Sequence, residues 1–335
     1  MLPAALAKLE GITTRGYTFL RDDLSESRYS FADLVAAASD RGRCLRGLGR
    51  RPGDRLALVL PENEEFVLTF LGAVTAGIIP VPMYPPLGIG ALDSYLRTAL
   101  GIVARADAQT LVTSDHVAPA FAGVADRIRI VTLGELRAAP RDTDAPPTVT
   151  PDDVCFLQFT SGSTMDPKGV VVTHGNVAAN AHAIMVDCIG GDLQAECGVT
   201  WLPLYHDMGL IGHVLAPLFG GGAVVFIPTL VFMKRPSIWM RTIHRYRGAV
   251  TFAPNFAFAL AARRATSSGV RELDLSCLRI VGCGAEPINA ATLRHFGEVF
   301  APAGLDPRAI MPCYGMAETT LAVSFDTWGA PMRTE

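Results

Sequence analysis

Neither sign of charge dominates this chain of 335 residues: 29 Lys and Arg face 32 Asp and Glu, for a formal net charge of −3. That balance gives no electrostatic footprint for nucleic acid, and no basic or acidic tail is visible. Only 18% of residues are charged while 50% are hydrophobic, which excludes a disordered, solvating chain. Cysteine is sparse and scattered, at positions 44, 155, 188, 197, 277, 283 and 313, with no C-x-x-C pair and no His/Cys cluster. This disfavours a disulfide framework or a zinc site and points to free thiols in a reducing, cytoplasmic compartment. Unbroken apolar runs are missing too. Residues 66–92 and 208–233 carry no Asp, Glu, Lys or Arg, but Pro80, Pro82, Pro85 and Pro86 interrupt the first. Pro217, Gly220, Gly221, Gly222 and Pro228 interrupt the second. Each reads as buried helix, turn and strand, so no transmembrane segment is expected. Residues 1–10 have no sustained apolar core of the secretory kind, and no repeat of solenoid period is present.

What is there alternates. Helical spacing of apolar residues over 31–48, 62–76 and 92–104 is interleaved with short β-type runs at 55–60, 78–81, 110–113 and 129–132. The pattern resumes with helices expected at 176–186, 209–219, 236–247, 255–266 and 289–300. Strands are expected at 198–202, 223–227, 249–252, 278–281 and 309–311. Strands separated by helices argue for parallel βαβ units and an α/β fold. The stretch 137–153, RAAPRDTDAPPTVTPDD, is polar, proline-rich and aperiodic. It reads as a linker (141–153) between an N-terminal subdomain, 1–140, and a second subdomain, 154–335.

The second subdomain opens on TSGSTMDPKG, residues 160–169, set between the β-type runs 154–159 and 170–172. Hydroxyls, glycine-exposed backbone N–H groups and a lysine can together surround phosphate oxygens. Composition alone favours a solvent-exposed hairpin rich in turn residues. The decamer is not a Walker loop, because Gly-Val-Val-Val after Lys168 favours a second strand where a helix would be needed. A strand–loop–strand element is therefore expected.

The decamer resembles the signature loop of the adenylate-forming superfamily, which includes acyl-CoA synthetases, luciferases, peptide-synthetase adenylation domains and fatty acyl-AMP ligases. Four more segments match that superfamily in order: WLPLYHDMGL (201–210), APNFAFA (253–259), GCGAEPIN (282–289) and CYGMAETTL (313–321). PGDRLALVLPE (52–62) and AGIIPVPMYPPL (76–87) are also similar to it. Within the superfamily the wording is closest to fatty acyl-AMP ligases, notably Asp207 and the Glu286-Pro287 pair. The implied fold is the large N-terminal domain of that family: stacked, mostly parallel sheets flanked by helices.

The resemblance implies roles position by position. Thr160, Ser161, Gly162, Ser163, Thr164 and Lys168 would form the triphosphate loop. Gly284, Ala285 and Glu286 would form the turn that meets adenine, and Tyr314, with Gly315, Met316 and Ala317 after it, would lie against the ring. Glu318 would be the Mg²⁺ carboxylate and Thr319 would sit beside the α-phosphate. His206 would face the reacting carboxylate, making His206, Lys168 and Thr319 the catalytic group. His206, Asp207, Asn255 and Phe256 would contact the acyl substrate. ATP and Mg²⁺ are the implied cofactors, a fatty acid the substrate, and an acyl-carrier protein or coenzyme A the acceptor. Chemistry on lipids leaves peripheral contact with a membrane open. Read in isolation, Glu318 is a helix-start or surface acid and Phe256 a core residue, while His206 fits a structural and a functional histidine equally; their joint occurrence with the loop is what favours function.

The resemblance also implies parts that follow Glu335 in the family: a ribose-binding aspartate, a hinge and a small mobile C-terminal domain with its own lysine. Residues 1–335 alone are therefore expected to show weak or absent adenylation. Two other readings stay open, a fatty acyl-CoA synthetase fragment and a non-catalytic module that binds acyl group or nucleotide.

Overall fold

The structure, a computed structural model, describes residues 1–86, 92–160, 167–190, 196–330 and 332. In chain order the strands begin with β1 (Gly16–Leu20), β2 (Glu26–Ser30), β3 (Arg55–Val59), β4 (Ile79–Pro82), β5 (Thr110–Thr113) and β6 (Arg129–Thr132). Next come β7 (Val154–Thr160), β8 (Lys168–Thr173), β9 (Cys197–Thr200) and β10 (Ala223–Phe226). The last are β11 (Val250–Pro254), β12 (Ile280–Gly284), β13 (Ile310–Gly315) and β14 (Ala322–Phe325). The chain divides into two units.

The first unit comprises 1–13, 31–178 and 204–206. Its sheet runs β4-β3-β5-β6, all parallel, as expected for strands that alternate with helices. The Phe31–Gly47 and Asn63–Thr75 helices are joined by a buried ion pair, Arg41 Nη2 to Glu65 Oε2 at 2.9 Å. Arg41 also donates to Thr69 Oγ1, and Arg137 reaches the other oxygen of Glu65, so the buried charges are paired and hydrogen-bonded. Residues 141–153 carry no helix or strand. They are held by Arg46, which donates to the carbonyls of Asp144 and Ala145, and by Arg141 on Asp40. A separate antiparallel pair, β7 with β8, belongs to this unit.

The second unit comprises 14–30, 179–203 and 207–335. Its eight-stranded sheet has the order β14-β13-β12-β11-β9-β10-β1-β2, parallel throughout except at the two edges. Interior strands such as β12 are buried along their whole length, which is why they read as continuous apolar runs. The core is aromatic: Trp239 packs edge-on to Trp201, Phe232 and Phe258. Its indole N–H is satisfied at Thr251 Oγ1, which in turn donates to the Val199 carbonyl. The Trp239 and Thr251 polar groups are thus paired in a short relay.

The expected elements agree with the structure to within a few residues, and the structure adds others, such as β14 and the short helix Leu133–Ala138; three differences are instructive. The edge hairpin β1–β2 was not expected, because β2 is polar and half-exposed, without the alternation that marks a buried face. The helix expected at 209–219 is π-helical over Leu210–Leu215. Pro217 has no N–H to return to the preceding turn, which loosens the ladder there. The helix expected at 176–186 is regular only over His174–His182 and continues as a π-helix, Ala183–Ile189. Among the described residues, no helix is long and apolar enough to cross a membrane.

Candidate functional site

In the first unit, β7 and β8 pair antiparallel with Thr160 opposite Lys168, so both residues stand at the mouth of the strand–loop–strand element. Ser161, Gly162, Ser163 and Thr164 lie outside the described residues. The far arm of the loop is anchored where Arg105 Nη1 donates to the Pro167 carbonyl at 2.7 Å. Lys168 is exposed and Thr160 half-buried. Gln158, on the buried side of β7, donates through Nε2 to the Tyr205 carbonyl at 2.9 Å. That bond, with Tyr205 packed near Tyr84, fixes the short segment that presents the exposed His206. Sequence reading singled out His206 but not Gln158, whose role depends on a partner 47 residues away.

In the second unit, three of the expected segments emerge from the carboxyl ends of adjacent parallel strands. Asn255 and Phe256 follow β11, Gly284, Ala285 and Glu286 end β12, and Tyr314 and Gly315 end β13. Ligands of open α/β sheets bind at such carboxyl ends. The turns are tied to one another. Glu286 Oε1 accepts the Phe256 N–H at 2.6 Å, and Asn255 Oδ1 accepts the Asn289 N–H at 3.0 Å. In this structure the Glu286 carboxylate thus serves the first turn of the Asn255–Arg264 helix, a favourable place for an anion. Ala285 adopts a left-handed φ of 67°, a tight conformation at the point expected to meet adenine. Tyr314 is 57% exposed, leaving its ring available for stacking.

Beyond Tyr314, the Ala317–Thr319 turn carries Glu318 and Thr319, both exposed. Thr319 Oγ1 donates back to the Met316 carbonyl at 3.0 Å. Thr320 closes the turn at φ 74° and ψ −65°, a strained region for a β-branched residue. Asn180 holds the strand that follows, donating to the Ala322 carbonyl and accepting its N–H, each at 3.0 Å. Neither Thr320 nor Asn180 was legible beforehand as part of this turn. Relief of strain should outweigh the added chain entropy in Thr320→Gly, which is expected to stabilise the protein by about 1 kcal/mol in urea denaturation. A loss of stability would mean that the buried threonine side chain contributes more than its backbone costs.

Asp207 is buried, and its Oδ1 accepts the Met208 N–H at 2.7 Å, so it starts the helix after His206. The single carboxylate of Glu318 suits a hard cation that takes most of its ligands from phosphate and water. Among the described residues, no cluster of three or more His, Cys, Asp or Glu could hold a metal by itself.

Comparison with known proteins follows the same segments. The family model for AMP-binding enzymes matches residues 13–335. A protein of Caulobacter vibrioides is 37% identical over 318 residues, 94% of this chain and 55% of its own length. Long-chain-fatty-acid–AMP ligase FadD26 of Mycobacterium marinum is 37% identical over 294 residues, covering 84% of this chain and 49% of the relative. A solved structure from work on fatty acyl-adenylate ligases of E. coli and L. pneumophila superposes with a TM-score of 0.94 at 35% identity. It covers 98% of this chain and 60% of that one. The chain therefore spans about half the length of the relatives it matches.

Proposed function

Because the chain belongs to the AMP-binding enzyme family, we propose that it is the nucleotide- and acyl-binding portion of an enzyme that activates a fatty acid with ATP. The observation that carries this reading is the convergence of three candidate segments at the carboxyl ends of β11, β12 and β13. A carboxylate oxygen of the acid attacks the α-phosphorus of ATP, the acyl-adenylate forms, and pyrophosphate leaves. Such a reaction asks the protein mainly to position reactants and neutralise charge.

In this reading the Tyr314 ring and the Gly284–Glu286 turn receive the adenine. Thr160 and Lys168 meet the phosphates together with Ser161, Gly162, Ser163 and Thr164. Thr319 hydrogen-bonds the α-phosphate, and His206 orients the carboxylate. Asp207 sets the bend that presents His206, and Asn255 and Phe256 border the acyl group. Glu318 would hold Mg²⁺, whose charge offsets that of the phosphates when bound. The activated acyl group passes to a thiol, of an acyl-carrier protein or of coenzyme A. A cytoplasmic site for this work, with peripheral membrane contact, fits an acid substrate drawn from lipid.

Calorimetric titration of residues 1–335 with a non-hydrolysable acyl-adenylate mimic tests the reading. Binding to the wild-type chain is expected; no binding would remove it. Titration with a non-hydrolysable ATP analogue and Mg²⁺ tests the two charged residues. Lys168→Ala should weaken binding by about 1–3 kcal/mol through lost charge-assisted contacts. Glu318→Ala should remove the Mg²⁺ dependence. Unchanged affinity at moderate salt in Lys168→Ala would count against the loop.

A further inference from the structure

Beneath β9, β10 and β11 in the second unit lies a small cavity of about 30 Å³. Its walls are largely apolar, from Met185, Ile189, Val224 and Phe252, with Gly198 contributing no side chain. Two polar side chains also line it, Glu196 and His213. Glu196 is already engaged, since Arg279 donates to both its oxygens at 2.7 and 2.6 Å. His213 is different. It is 3% exposed, on the π-helical turn Leu210–Leu215, a distortion often found at functional sites. Its Nδ1–H donates to the Met208 carbonyl at 3.2 Å, while Nε2 is buried with no partner among the described residues. Burial keeps the imidazole neutral, pushing its pKa down to about 4. Nε2 is therefore a bare acceptor facing no donor, an arrangement that costs about 1–3 kcal/mol until something fills it.

Two fillers are available, a water molecule or a hydroxyl brought by a ligand. A buried water needs roughly two to four polar partners. Among the described lining side chains, His213 Nε2 is the acceptor with no partner, so a water there would find few of its bonds on side chains. A hydroxyl on a carbon frame needs only that acceptor, and its carbon body suits the apolar walls. Phe252 walls the cavity on the β11 side, standing edge-on to His213 with ring centroids 5.9 Å apart. Its ring occupies the space over Gly282, where an added Cβ would lie 2.0 Å from it. Phe252 precedes Asn255 by three residues on β11 and Val250, which also lines the cavity, precedes it by five, so the cavity lies roughly 10–17 Å down the sheet from the carboxyl edge.

We propose that His213 is a specificity-determining residue: its Nε2 accepts a hydrogen bond from a hydroxyl at the distal end of the acyl group, selecting hydroxylated carboxylic acids over their plain counterparts. The proposal rests on the adenylation reading above for the direction from which the acid enters. Its test uses the 335-residue chain and paired acyl-sulfamoyl adenosines of graded length, each with and without a terminal hydroxyl. At the length that reaches the cavity, the hydroxylated member should bind about tenfold more tightly, the ratio given by one hydrogen bond. His213→Leu should abolish the preference and His213→Gln, which retains an acceptor, should restore part of it. Equal binding of both members at every length, or an unchanged preference in His213→Leu, overturns the proposal.

A nucleotide-free measurement separates this outcome from failure of adenylation. In ¹⁵N-histidine-labelled wild-type chain, the His213 Nε2 resonance should move upfield on titration with the ω-hydroxy acid alone and stay unmoved with the parent acid. If no adenosine ligand binds but this shift appears, the adenylation reading falls and the hydroxyl site stands. An unmoved resonance, as a resident water would give, overturns the site whether or not His213→Leu folds.

Discussion

Gly209→Ala is expected to destabilise the protein by about 3 kcal/mol and to weaken binding of an acyl-adenylate mimic at least about tenfold. Two effects oppose each other. Gly209 has helical dihedrals, φ −73° and ψ −48°, so alanine would by propensity alone favour the helix by up to about 1 kcal/mol. Space decides otherwise. A Cβ at Gly209 would lie 2.3 Å from the Pro203 carbonyl oxygen and 3.0 Å from its carbon. Both are backbone atoms, with no rotamer to yield, and the site is buried. Relief requires moving the bend between Pro203 and Gly209, which presents His206 and Asp207. Stability and ligand affinity should therefore fall together, as measured by urea denaturation and calorimetry. Wild-type stability would show that the bend can shift freely. Lost stability with intact affinity would separate His206 and Asp207 from the acyl ligand.

Much of the architecture could be read from the chain because its chemistry is contiguous. The strands β11, β12 and β13 are short apolar runs, and the segments that end them, APNFAFA, GCGAEPIN and CYGMAETTL, each follow their strand directly. Local pattern and local chemistry point the same way there, and parallel order then brings the three ends side by side. What stayed hidden depends on partners distant in sequence or on backbone conformation. Asn180 grips Ala322 from 142 residues away, and Gln158 reaches Tyr205. Glu286 was expected at adenine, and its bond to the Phe256 N–H comes from a register that pairs Pro254 with Gly284. The left-handed Ala285 and strained Thr320 leave no trace in composition, since neither is the glycine that usually marks such positions. Edge strands β2 and β14 escaped for the opposite reason: their exposed residues have no apolar alternation to announce them.

Acidification from pH 7 to pH 4 should cost about 3 kcal/mol of folding stability through His213 alone. Its folded pKa is depressed to about 4, against 6.5 for an unperturbed histidine, because full burial disfavours the imidazolium. The hydrogen bond to the Met208 carbonyl acts in the opposite direction and only partly offsets it. Above pH 6.5 the imidazole is neutral in both states and no linkage arises. Between pH 6.5 and 4 the unfolded chain takes up a proton that the native chain excludes, so stability falls as pH falls. Below 4 both states are protonated and the loss levels off. His174, also depressed by burial, has the same sign. The depressed carboxyls of Asp40, Asp153 and Asp306 contribute at lower pH, as they protonate below the usual carboxylate range. Comparing wild type with His213→Phe isolates the one residue. The difference between their urea-derived stabilities should change by about 3 kcal/mol across the window, with wild type losing more. A pH-independent difference would mean that His213 is solvated or protonated in the native protein. Its Nε2 would then not be the bare acceptor on which selection of a hydroxylated acid depends.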